Sequence, residues 1–219
     1  MDSLIQTVAV YAIPVIFAIT WQEAAHAYAA KYFGDLTAYS QGRMTLNPVV
    51  HIDLVGTIII PLVLYLATDG QFLFGYAKPV PVNFGALRKP KRDMAWVSLA
   101  GPGANLLMAF LWMLLALLLV AFKVEHEFFY RMAQAGLLTN LVMFAFNLFP
   151  VPPLDGGRVL VSMLPHRQAY QYAKIEPYGF FIVMALVYFK IIQFWMYPLM
   201  NIAQWILQWI VTPFQFLLT

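Results

Sequence analysis

Two polar clusters interrupt a chain that is otherwise apolar. The first is Trp21-Gln22-Glu23-Ala24-Ala25-His26, embedded in an apolar run over residues 8–30. At helical spacing Glu23 and His26 are three residues apart and Gln22 and His26 four apart, so all three side chains share one face. An amide, a carboxylate and an imidazole on one face can converge on a single ion. The second is Asn147-Leu148-Phe149-Pro150-Val151-Pro152-Pro153-Leu154-Asp155-Gly156-Gly157, where prolines and glycines stop another apolar run. Broken backbone at membrane depth is tolerated where it lines a cavity or is buried in protein. Ionisable residues within apolar spans are costly enough to be functional candidates by default.

The elements that must position these groups are membrane helices. Of 219 residues, 62% are hydrophobic and 11% charged, where soluble domains carry about 25% charged residues. Apolar blocks run over residues 8–30, 54–67, 96–122, 136–149, 178–197 and 199–218, most of them near the ~20 residues a spanning helix needs. The expected fold is an all-α integral membrane bundle of about five to six transmembrane helices, forming a single domain over residues 1–219 with a core at about 8–160 and C-terminal helices at about 176–218. Trp195, Tyr197, Trp205 and Trp209 stand where aromatic residues anchor a helix at the headgroups. Residues 34–50 and 69–90, rich in Gly, Pro, Asn and Asp, read as loops or short strands. Met1 to Thr7 lack the cationic start of a secretory signal, so the first segment is expected to stay as a helix. With no cysteine, any metal must take nitrogen and oxygen ligands, and thiolate sites and a cysteine nucleophile are excluded. The net charge of +3 comes without a basic stripe interleaved with aromatics, so nucleic acid is not an expected partner.

Charge placement selects a topology. Block 54–67 is short and contains Pro61. Leaving aside Lys190, which sits inside block 178–197, if block 54–67 dips in and returns, Lys31, Arg43, Lys78, Arg88, Lys89, Lys91, Arg92, Arg158, Arg167 and Lys174 lie on one side, against Lys123 and Arg131 on the other. That ten-to-two asymmetry is sharper than the eight-to-four split that a spanning block gives. The re-entrant insertion also brings the end of the first helix and the end of the fourth to the cytoplasmic side, so Glu23, His26 and Asp155 can meet.

These residues resemble the site-2 protease family of intramembrane zinc metalloproteases. In the HExxH class two histidines four apart on a helix bind zinc, and the intervening Glu is general base on the zinc-bound water. The resemblance is carried by Glu23 and His26 and by Asn147, Pro150, Asp155 and Gly156, which match the family's Asn-x-x-Pro-x-x-x-x-Asp-Gly segment. Between them lie Gly34-Asp35, Gly42-Arg43, Asn47-Pro48 with His51, Lys78-Pro79-Val80-Pro81, and Ala100-Gly101-Pro102 with Asn105. The resemblance implies zinc as cofactor, His26 and Asp155 as ligands, Glu23 as general base, and Asn147 holding the substrate or the oxyanion. It implies a transmembrane protein or peptide as substrate, and a multi-pass protein of the plasma membrane with its active site toward the cytoplasm.

The departure is Gln22, which stands at the family's first histidine position. An amide oxygen is a neutral, weaker zinc donor than an imidazole nitrogen. Three outcomes stay open: weak zinc binding with Gln22 or water filling in, recruitment of another residue such as His51, or no metal. His51 otherwise reads as a loop residue bracing the site, His126 and His166 as solvated, and Gly101, Pro102 and Asn105 as helix-packing residues. Two functions are therefore carried: an intramembrane zinc endopeptidase with impaired activity, and an inactive pseudoprotease that binds transmembrane segments.

Overall fold

The computed structural model describes residues 2–60, 63 and 76–218. Helix α1 (Asp2–Tyr32) carries the first polar cluster. It is followed by a single turn, α2 (Thr37–Ser40), a 3-10 turn (Pro48–His51) and a π-type turn (Leu54–Ile59). An extended strap over residues 76–83 and a 3-10 turn (Phe84–Ala86) lead into α3 (Pro90–Ala121). Then come α4 (Glu127–Asn147), α5 (Asp155–Met163), α6 (His166–Ala173), α7 (Glu176–Tyr188) and α8 (Gln193–Leu218). The fold is all-helical among the described residues.

No strand forms among the described residues of 34–50 and 76–90, where loops or short strands were expected. In the strap the reason is chemical: Pro79 and Pro81 have no N–H to give to a ladder. The question whether block 54–67 turns back falls largely on residues 61–62 and 64–67, which lie outside the described residues.

Among the described residues, two helices, Gln6–Tyr32 and Pro90–Ala121, are long and apolar enough to cross a membrane. The pair Glu176–Tyr188 and Gln193–Gln215, bent by 81°, makes a third if taken as one span. Helix α4 has 21 residues, but Arg131, Gln134 and Asn140 dilute its apolar character. The blocks at 178–197 and 199–218 are divided differently from the expectation, because the break falls at residues 189–192 and α8 then runs through the expected boundary. Backbone geometry explains the break. Lys190 takes φ +60°, its N–H bonds to Val187 O at 3.0 Å, and Ile191 N–H bonds to Leu186 O at 2.9 Å. This is a Schellman end, a place usually held by glycine. Lys123, at φ 51°, closes α3 in the same way.

Helix α3 is the hub, packing against α1, α4, α5 and α8. A core of Ala109, Leu141, Ala203 and Leu207 joins α3, α4 and α8. Fully buried polar side chains tie the first three long helices together. Asn105 Nδ2 donates to Ala18 O and to Asn140 Oδ1, each at 3.2 Å, and Asn140 Nδ2 donates to Gly136 O at 2.8 Å. Meanwhile Leu107, Leu111, Ile13 and Phe17 stay exposed, as lipid-facing residues must. Trp195, expected at the headgroups, also makes contacts inside the bundle: its indole N–H donates to Ala145 O at 3.1 Å and its ring meets Phe149 edge-on. It thereby braces the end of α4, where the second polar cluster begins.

A left-handed residue with a side chain costs about 1–2 kcal/mol relative to glycine. Lys190→Gly should therefore raise stability by about 1 kcal/mol, seen as a higher thermal unfolding midpoint of the detergent-solubilised protein; a lower midpoint contradicts this account of the break.

Candidate metal centre

The fold brings the two sequence clusters together, Gln22 and Asp155 meeting across 133 residues of chain. Gln22 and His26 lie one turn apart on the inner face of α1, and both are buried. Asp155 opens α5, where a carboxylate in the first turn is favoured by the helix dipole. Its approach is fixed by the two glycines behind it: a Cβ on Gly156 would strike the Leu148 carbonyl, and one on Gly157 the backbone of Val151 and Pro152. The Pro152–Pro153 peptide in this loop is cis, and the Tyr172 hydroxyl donates to Pro150 O. Asn147 is the last residue of α4.

The contacts are direct. His26 Nε2 lies 3.2 Å from Asp155 Oδ2. On the other side of the ring, Nδ1 is 2.8 Å from Val97 O. A carbonyl can only accept, so Nδ1 carries the proton, and in the neutral ring the lone pair is on Nε2, facing Asp155. Gln22 Nε2 donates to Asp155 Oδ2 at 3.5 Å, and its Oε1 accepts from Asn147 Nδ2 at 3.3 Å. All four residues line a cavity of about 890 Å³ whose walls include Tyr11, Val15 and Ile19 of α1 and Leu138 and Val142 of α4.

Glu23 lines the same cavity but is held by the strap. Its Oε2 accepts from Val80 N–H at 2.7 Å, the one backbone donor in Pro79-Val80-Pro81. The strap is fixed along its length: Lys78 N–H to His51 O at 3.0 Å, Arg43 Nη2 to Lys78 O at 2.7 Å, and Asn83 N–H to Asp35 Oδ2 at 2.6 Å. Asp35 is wholly buried and also takes the Thr37 N–H at 2.9 Å. His51 donates from Nε2 to Thr45 O at 2.9 Å; it is buried in its turn, and its Nδ1 has no hydrogen-bond partner among the described residues. His126 and His166 are exposed. The strap's share in the site was not foreseen, although a lone N–H between two prolines is a readable signal. Val97, as a backbone acceptor, leaves no mark in the sequence.

Residues 124–189, which include Asn147 and Asp155, match the model of peptidase family M50. The chain is 38% identical over 198 residues to a Bacillus subtilis protein named "Putative zinc metalloprotease YwhC", covering 86% of this chain and 84% of that one. It is 32% identical over 187 residues to the "Putative zinc metalloprotease Rip2" of Mycolicibacterium smegmatis, covering 84% and 68%. The chain belongs to peptidase family M50, the site-2 protease family. No solved structure matches it. M50 proteins are zinc-dependent peptidases of the membrane, so the M50 site here can be tested against the ion.

Two ligand atoms, each about 2.0–2.1 Å from a tetrahedral zinc, lie about 3.3 Å apart. His26 Nε2 and Asp155 Oδ2, at 3.2 Å, meet that spacing. A lone pair and a carboxylate this close repel each other unless a cation or a proton lies between them. The donor set thus suits zinc at two positions. At the third, Gln22 presents its NH₂ group to Asp155, a donor where a ligand needs a lone pair. No three His, Cys, Asp or Glu side chains converge as a metal-holding group among the described residues.

Asp35→Ala leaves the Asn83 and Thr37 N–H groups without their charged acceptor. Hydrogen bonds to charged groups are worth about 1.5–3 kcal/mol each, so the protein should lose about 3 kcal/mol or more. Limited proteolysis should then cut within residues 76–83, and unchanged resistance there would show that Asp35 does not hold the strap.

Proposed function

We propose that this chain is an intramembrane zinc endopeptidase of site-2 type that cleaves transmembrane segments of membrane proteins, its activity held down by Gln22. It acts as a single domain in the plasma membrane with its site toward the cytoplasm. The observation that supports this most is the approach of His26 Nε2 to Asp155 Oδ2 inside a cavity between apolar helices, with Glu23 one turn away.

In this reading His26 and Asp155 hold the ion. When bound, zinc supplies a Lewis acid for a peptide carbonyl and lowers the pKa of its water toward about 7. Glu23 takes the proton of the attacking water, its carboxylate aimed by the Val80 N–H. Asn147 turns its amide N–H, now given to Gln22, toward the substrate carbonyl. The apolar walls exclude bulk water and receive a transmembrane helix that has locally unwound, because a helical carbonyl is already hydrogen bonded and shielded. Helix-breaking residues in the substrate favour that step.

A second reading is favoured by one observation. Gln22 satisfies Asp155 and Asn147 at once, so the polar centre can persist without an ion, as a pseudoprotease that binds transmembrane segments without cutting them would require.

Metal analysis of the purified protein, paired with cleavage of a model transmembrane substrate, separates the two. Gln22→His should bring bound zinc to about one per chain and raise cleavage by about 10²-fold or more, on the scale of losing one electrostatic catalytic group. If histidine at 22 yields neither zinc nor cleavage, the protease reading fails; cleavage by the unaltered chain sinks the pseudoprotease reading. Because the chain has no cysteine, single cysteines report topology cleanly. One at position 88 should react with an impermeant thiol reagent only from the cytoplasmic side, and one at 126 only from outside. The opposite pattern would reverse the proposed orientation.

A further inference from the structure

Helices α1 and α3 run antiparallel and meet at three levels, each one turn apart. At the first, Val97 O accepts from His26 Nδ1 at 2.8 Å. At the third, Asn105 Nδ2 donates to Ala18 O at 3.2 Å. Between them stands Gly101, buried, four residues from each of its α3 partners on the same face. A Cβ built on Gly101 would run into Nε2 and Cε1 of the His26 ring and come within 2.9 Å of Gln22 Cγ. The His26 ring thus occupies the space that a side chain at 101 would fill.

We propose that Gly101 is a positioning residue for the metal centre: with the Val97 carbonyl it forms a seat that keeps the His26 Nδ1–H on that carbonyl and turns Nε2 toward Asp155. Small residues let membrane helices approach closely, and that general role predicts only lost packing when Gly101 is enlarged. The seat predicts more. The atom that Gly101 accommodates is Nε2 itself, so a methyl group there must swing the ring, lengthen the bond to Val97 and move Nε2 away from Asp155. The same seat lies against position 22, so both candidate ligand positions of α1 are registered by one glycine. The proposal rests on the reading of His26 as a ligand.

Gly103 supplies the control. It lies two residues further along the same helix, and a Cβ there meets nothing within 4 Å. The test is nitrogen NMR of histidine-labelled full-length protein in micelles at mildly alkaline pH, with the His26 signal assigned by its loss in His26→Ala. The unaltered chain and Gly103→Ala should show a proton on His26 Nδ1, hydrogen bonded to the Val97 carbonyl, whether or not Nε2 carries one as well. Gly101→Ala should show that Nδ1 proton lost or its hydrogen bond weakened. In a Gln22→His background, Gly101→Ala should also weaken zinc binding by about 10–100-fold, the usual effect of losing a group that orients a ligand, while Gly103→Ala leaves it unchanged. An unprotonated Nδ1 in the unaltered chain overturns the seat without recourse to any variant, as does an unchanged Nδ1–H signal in Gly101→Ala. Absence of zinc binding by Gln22→His would instead sink the metal reading, and the Nδ1 measurement would still decide the seat.

Discussion

An imidazole and a carboxylate facing each other inside a helix bundle constrain everything around them. The approach of His26 Nε2 to Asp155 Oδ2 at 3.2 Å cannot be left to solvent, because polar groups at that depth find few partners other than protein. Each must therefore be held from behind. The Val97 carbonyl holds His26, and the glycine-cleared start of α5 holds Asp155. These contacts join α1, α3 and α5 around the centre, and α3 also packs against α4 and α8. Helix α4 contributes Asn147 at its end and is braced there by Trp195 of α8, so the fold's outer helix also serves the centre.

Gln22 fits this arrangement as a substitute for charge. Its NH₂ group offers Asp155 a partial positive charge and its oxygen takes the Asn147 N–H, at 3.5 and 3.3 Å. Both bonds are long beside the usual 2.7–3.2 Å range and therefore weak. Turning the amide by 180° would present the oxygen to an ion shared with His26 and Asp155, at the cost of the bond from Asn147. In the proposed reading Gln22 would thus balance a self-satisfied polar centre against a metal centre with one weak ligand. The strap bears on the same balance from another side, since it orders Glu23 through the Val80 N–H whatever occupies position 22.

Much of the centre was readable from residue types and spacing. The shared face of Gln22, Glu23 and His26 needs only helical periodicity, and the proline-broken segment before Asp155 announces itself by composition. What could not be read was supplied by backbone. The Val97 carbonyl and the Val80 N–H have no side-chain signature, and Gly101 looks like any packing glycine until the His26 ring is found in its place. The break between α7 and α8 was missed because Lys190 sits in an apolar run with no glycine or proline beside it, and the left-handed turn there is set by the two capping hydrogen bonds. The bond from Trp195 to α4 could not be read either, because its acceptor lies 50 residues away in the chain.

The central claim is that these residues form a zinc site lacking one ligand. Zinc-edge X-ray absorption on the Gln22→His protein loaded with one equivalent of zinc tests it most directly. The account predicts a four-coordinate shell with two imidazole nitrogens and oxygen donors, and loss of one imidazole when His26→Ala is added. A shell without histidine, or one that His26→Ala leaves unchanged, would contradict it.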